Sequence, residues 1–145
     1  MRLRCATFEA PAQAALLLLL RLLYGGFFMQ TGWGKLMNFE RTQNFFASLG
    51  LPFPAVMAAL AASTELLGGM AWVLGLGTRF AATALAFVML VALASAHAAE
   101  AFASLESFTE QAPYPFLLAS LLLLAFGAGK ISLDARLASR CAPRR

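Results

Sequence analysis

Four stretches of the chain are apolar almost without interruption, at residues 12–34, 55–76, 80–99 and 115–133, with short polar segments between them. Runs of about 18 or more mostly apolar residues read as membrane-spanning helices, because a helix satisfies its own backbone where no water is available. The pattern predicts an all-α integral membrane four-helix bundle in a single domain, residues 1–145, with 135–145 as a basic tail. In the fourth run the purely apolar part, 115–129, is short, and Lys130 can snorkel to the surface.

Two charges interrupt these runs. Glu65 stands at the centre of AVMAALAASTELLGGMAWVLGL, and Arg21 lies inside AQAALLLLLRLLYGGFFMQTGW. A charge at the bilayer centre costs about 2.5–3.5 kcal/mol on insertion scales, so it faces the bundle interior and takes a partner. At about 1.5 Å per residue both fall near mid-depth of a core roughly 30 Å thick. Sequential spans run antiparallel, so the expectation is a buried Arg21–Glu65 pair. From Arg21 a stripe continues through Tyr24, Gly25, Phe28, Gly32 and Lys35 at helical spacing, with glycines where a neighbouring helix can come close. Ala58, Ala61, Ala62, Gly68, Gly69 and Trp72 share the face of Glu65, while Gln30 falls opposite the Arg21 stripe and needs its own partner.

Between the first two runs, Phe39, Phe46 and Leu49 share a helical face, with Glu40, Arg41, Gln43 and Asn44 turned away. A short helix lying in the interface fits, its aromatics serving as anchors. It ends at Gly50-Leu51-Pro52-Phe53-Pro54, where the prolines favour extended Leu51 and Phe53. Residues 98–112 extend the third helix, and Pro113 and Pro115 stop it.

Composition supports the membrane reading. The chain is 61% hydrophobic and 12% charged, with mean hydropathy +0.74; soluble domains run near 45–50% and about 25%. The net charge of +4 does not indicate nucleic-acid binding, since the cations flank apolar runs and no basic stripe carries interleaved aromatics. Segments on the side of the termini hold Arg2, Arg4, Arg79, Lys130, Arg136, Arg140, Arg144 and Arg145, against Lys35 and Arg41 opposite. The positive-inside rule then puts both termini in the cytoplasm. Arg2 and Arg4 ahead of an apolar run resemble a signal peptide, but the run is too long, Arg21 interrupts it, and no small-residue cleavage site follows; it is read as an uncleaved span. Cys5 and Cys141, at opposite ends on the reducing side, read as incidental thiols.

Several short motifs recur together: Arg21-Leu22 with Gly25, Gly32, Gly34-Lys35-Leu36, Phe46, Gly50-Leu51-Pro52-Phe53-Pro54, Glu65-Leu66-Leu67-Gly68-Gly69, Gly77-Thr78-Arg79, His97, Gly127-Ala128-Gly129-Lys130 and Ser132-Leu133-Asp134. In order and spacing they resemble the DoxX-like family of small four-helix bacterial membrane proteins, over roughly residues 14–137. The resemblance implies a multi-pass protein of the bacterial inner membrane and a family name tied to a thiosulfate:quinone oxidoreductase subunit. It also implies a place in a redox or detoxification assembly, with the lipid bilayer, a soluble or membrane oxidoreductase, and further copies of the chain as partners. It does not amount to an enzyme assignment.

The ligand inventory narrows the chemistry. One histidine excludes a bis-histidine haem within the chain, and two terminal cysteines exclude a four-thiolate iron–sulfur cluster. No dinucleotide or phosphate-loop fingerprint is present. Electrons would pass through a quinone or a partner's cofactor, with no covalent cofactor here. A quinone needs an apolar slot, hydrogen-bond donors at its carbonyls and a proton source, which Arg21, Tyr24, Glu65 and Trp72 could supply. The other reading makes Arg21–Glu65 an ion pair fastening spans one and two in a non-catalytic scaffold, since a neighbouring cation holds the carboxylate ionised. His97 and Glu100 share one side of a helix turn, with Met29, Met37 and Met57 nominally in the same half. One imidazole is a poor basis for a metal site, so none is assigned. A single buried pair gives no continuous polar path, which ranks a transporter or channel last.

Overall fold

Prolines and glycines set the boundaries of the helices. The computed structural model describes residues 9–96, 98 and 104–141. Within them lie α1 (Glu9–Met37), α2 (Phe39–Ser48), α3 (Pro54–Leu74), α4 (Thr78–Ser95), α5 (Leu105–Glu110), α6 (Pro113–Phe126) and α7 (Leu133–Cys141), and no strands. Pro54 and Pro113 occupy the first helical positions of α3 and α6, where a missing N–H leaves nothing unpaired. Helices α1, α3 and α4 are each long and apolar enough to cross a membrane. With the shorter apolar α6 they form a helical membrane bundle.

The expected fourth span, 115–133, is shorter in the structure. Helix α6 stops at Phe126, where Gly127 takes φ +74 and Gly129 repeats it. Only glycine enters this region of backbone space freely. The chain then runs irregularly to α7, so residues expected to form the start of a tail are helical instead. The entry to α3 also differs from expectation. Phe53 is left-handed, at φ +49, rather than extended, a rare conformation for a bulky residue.

Helix α1 packs antiparallel along α3, and glycines permit the approach. A Cβ on Gly32 would lie 2.5 Å from the Leu66 nitrogen and 2.7 Å from the Ala62 oxygen; one on Gly69 would lie 2.6 Å from the Gly25 oxygen. These are backbone atoms, which cannot step aside. Replacing Gly32 by valine should therefore separate α1 from α3 and lower the amount of folded protein in the membrane several-fold, read by fluorescence-detected size exclusion. The same change at Gly34, where a Cβ meets nothing within 4 Å, should be silent.

The core runs along α3, α4 and α6. Trp72, Leu85 and Leu123 are fully buried, and Phe28 from α1 stands edge-on to Trp72 with ring centroids 5.4 Å apart. Outward faces carry Leu19, Leu67, Phe80, Phe87 and Leu121, all exposed, as a bundle surrounded by lipid requires. Helix α2 lies where a short interfacial helix was expected, with Phe39, Phe46 and Leu49 partly covered and Glu40, Arg41 and Asn44 exposed. Asn38 makes the corner into it, donating from its side chain to Gly34 O at 3.0 Å.

A candidate ligand pocket around Lys35 and Glu65

Arg21 and Glu65 do not meet. The Arg21 guanidinium spends its donors on four backbone carbonyls: Nε to Trp72 at 2.7 Å, Nη1 to Ala128 at 2.8 Å and Ile131 at 2.7 Å, and Nη2 to Val73 at 3.3 Å. Trp72 and Val73 end α3, and the carbonyls of a helix's last turn have no intrahelical partner and carry its negative dipole end. Ala128 and Ile131 belong to the irregular chain after α6. The planar fork of an arginine suits such a site. Gly75 makes room, since a Cβ there would sit 2.2 Å from Nη2.

Asp134 completes this junction. Its carboxylate accepts from the Gly77 and Thr78 amides at 2.8 and 3.2 Å, capping the start of α4, while its own amide donates to Gly75 O at 2.9 Å. Arg79 donates to Ala125 O at 3.2 Å. Arg21 and Asp134 thus tie α1, the α3–α4 turn and the chain leaving α6 at one end of the bundle.

Glu65 lies elsewhere, buried to 1% exposure in the middle of α3, and its partner is Lys35. Roughly four turns of α1, about 21 Å, separate Lys35 from Arg21. The Lys35 ammonium donates to Glu65 Oε1. Glu65 Oε2 is buried with no hydrogen-bond partner among the described residues. Such an oxygen costs free energy unless something donates to it.

Beside this pair the bundle holds a cavity of about 980 Å³, bounded by α1, α2, α3, α4 and the start of α6. Its wall is mostly apolar, with Phe28, Met57, Met89 and Phe116 around the ion pair and Asn38, Arg41 and Thr42 at the α2 rim. This is the composition of a small-molecule site, an apolar enclosure with a few convergent polar groups.

The other expected site residues are distributed differently. Trp72 is buried against Phe28 with no partner for its indole N–H among the described residues, and Tyr24 packs edge-on to Phe116 at 5.4 Å. Neither lines the cavity with Glu65. Gln30 is on an exposed face of α1. His97 and Glu100 lie outside the described residues. Lys35 and Arg41, the two cations assigned to outer loops by sequence, are the cavity's positive groups.

The DoxX family model matches residues 16–98, which takes in most of α1 and all of α2 to α4, and so Lys35, Arg41 and Glu65 of the cavity. This chain belongs to the DoxX family. A relative from Bacillus subtilis (strain 168), named "Putative oxidoreductase CatD", is 33% identical over 117 residues, covering 81% of this chain and 83% of that protein. No solved structure matches the chain. For this DoxX protein the matched region contains the glycine seam, Arg21 and the Lys35–Glu65 pair, whereas Asp134 and the α6–α7 chain lie beyond it.

Proposed function

We propose that this protein is an inner-membrane subunit of a redox or detoxification assembly, and that it binds a quinone in the cavity beside Lys35 and Glu65. Both termini face the cytoplasm in this reading, following the excess of Arg and Lys on their side. The observation that carries it is the buried Glu65 carboxylate, with one oxygen on Lys35 and the other without a partner among the described residues, beside a mostly apolar cavity.

The Lys35 ammonium has N–H donors beyond the one given to Glu65, and its side chain is 32% exposed. In this reading it donates to a quinone carbonyl. Glu65 orients the ammonium and, at its second oxygen, can accept from a quinol hydroxyl. Reduction of a quinone to a quinol consumes two electrons and two protons. One histidine and two separated cysteines cannot hold a bis-histidine haem or a four-thiolate cluster within the chain, so in this reading a partner oxidoreductase supplies the electrons, in line with the relative's name. Phe28, Phe116 and Met89 provide the apolar flanks for the ring.

The test is the quinone content of an organic extract of protein purified mildly from its native membrane. The Glu65→Gln variant and an unrelated four-helix membrane protein are processed in parallel. We expect near-stoichiometric quinone in the wild type, a drop of about tenfold in the variant at equal membrane abundance, and only background in the control. Quinone at control level in the wild type would refute the reading and favour a non-catalytic scaffold.

A further inference from the structure

The cavity is not equally closed on all sides. Helices α3 and α4 leave the Gly75–Gly77 turn in close contact, with Gly68 seated so tightly on Leu85 that a Cβ would lie 2.9 Å from its Cγ. Farther from the turn they no longer fill the space between them. Ala61 and Thr64 of α3 and Val88, Val91 and Ala92 of α4 line the cavity there. Outside these, Leu60 and Phe87, 56% and 67% exposed, form two apolar lips at mid-helix. On the α2 side Phe45, Phe46 and Leu49 line the cavity together with Asn38, Arg41 and Thr42.

The charged groups lining the cavity are Lys35 of α1, Arg41 of α2 and Glu65 of α3, while the other residues that α3 and α4 contribute are apolar apart from Thr64 and Ser95. A water-soluble ligand has no reason to cross the gap between α3 and α4, whereas an amphiphile already in the bilayer meets it directly.

From this we infer that the cavity is loaded sideways from the lipid phase, between the diverging halves of α3 and α4. Its ligand is a tailed amphiphile, with the polar ring at Lys35 and Glu65 and the tail in the gap. The inference rests on the quinone reading and adds the route and the tail. Thr64 and Ala92 are then specificity-determining positions, because their small side chains leave the tail its space.

The experiment compares two probes on the full chain in lipid nanodiscs, a decyl-tailed benzoquinone and the same ring without its tail, by equilibrium partition corrected for protein-free nanodiscs. Thr64→Trp and Ala92→Phe narrow the gap, and Leu67→Trp adds the same bulk on an exposed face of α3 that does not line the cavity. We expect the tailed probe to bind wild type at least about tenfold more tightly than the bare ring. Both gap variants should lose that preference, and Leu67→Trp should keep it. Equal affinity for the two probes overturns the lateral route while leaving the quinone site standing. So does a tail preference that both folded gap variants retain. Binding of neither probe to folded wild type overturns the quinone reading and this inference with it. The wild-type comparison needs no variant, so a misfolded substitution does not rescue the idea.

Discussion

Arg21→Leu should leave almost no folded protein in the membrane, although the change removes a charge from the apolar stretch of α1 and makes it easier to insert. The guanidinium holds four carbonyls, two at the end of α3 and two in the irregular chain after α6. Hydrogen bonds to a charged group contribute about 1.5–3 kcal/mol each, and carbonyls stranded away from water carry the full cost of desolvation. Arg21→Lys should recover only a minor part, since one ammonium cannot span carbonyls arranged around a planar fork. The measurement is the amount of monodisperse protein from equal membrane fractions, expected to fall about tenfold or more in Arg21→Leu. A leucine variant that accumulates and melts like wild type would show that these bonds are dispensable.

The junction at Arg21 also explains how a short α6 is tolerated in a membrane bundle. Fourteen helical residues reach about 21 Å, less than the roughly 30 Å of a hydrocarbon core. The irregular backbone that follows is acceptable at depth only where protein satisfies it. Arg21 does so from α1, and Asp134 closes the opposite strand of the junction by capping α4. One buried cation therefore substitutes for the missing helical turns.

The apolar and polar pattern was enough to read the bundle, the approximate position of α1, α3 and α4, and a short helix at α2. The polar pairing was misread for an identifiable reason. Depth counted from the ends of apolar runs treats a charge as lying at its own Cα, whereas lysine and arginine reach several ångströms along the helix. Lys35 belongs to α1, which continues to Met37, and its side chain reaches inward to Glu65. It stands on the stripe of Arg21, Gly25, Phe28 and Gly32, and that shared face was the signal available in the sequence. The end of α6 at Phe126 could not be placed from hydropathy, because the chain stays apolar through Gly129 while the backbone already leaves the helix at Gly127.

Lys35 and Glu65 should behave as one unit in a double-mutant cycle. Lys35→Met leaves the Glu65 carboxylate buried without its cation, and breaking a buried pair from one side costs about 3–5 kcal/mol. Glu65→Leu strands Lys35 less severely, since its side chain is partly exposed and can swing toward the α2 rim. The double variant Lys35→Met/Glu65→Leu removes both charges at similar volume and should regain most of the stability lost in Lys35→Met, while binding no quinone. Thermal unfolding in detergent reads the first effect and the quinone content of the extract reads the second. Additive destabilisation by the two single changes would mean that the ion pair does not hold α1 to α3. Recovered stability with retained quinone would place the ligand away from Lys35 and Glu65. The predicted combination, a stable bundle without ligand, separates what the pair does for the fold from what it does at the cavity: an uncharged contact can replace it in packing, but no apolar contact can donate to a carbonyl.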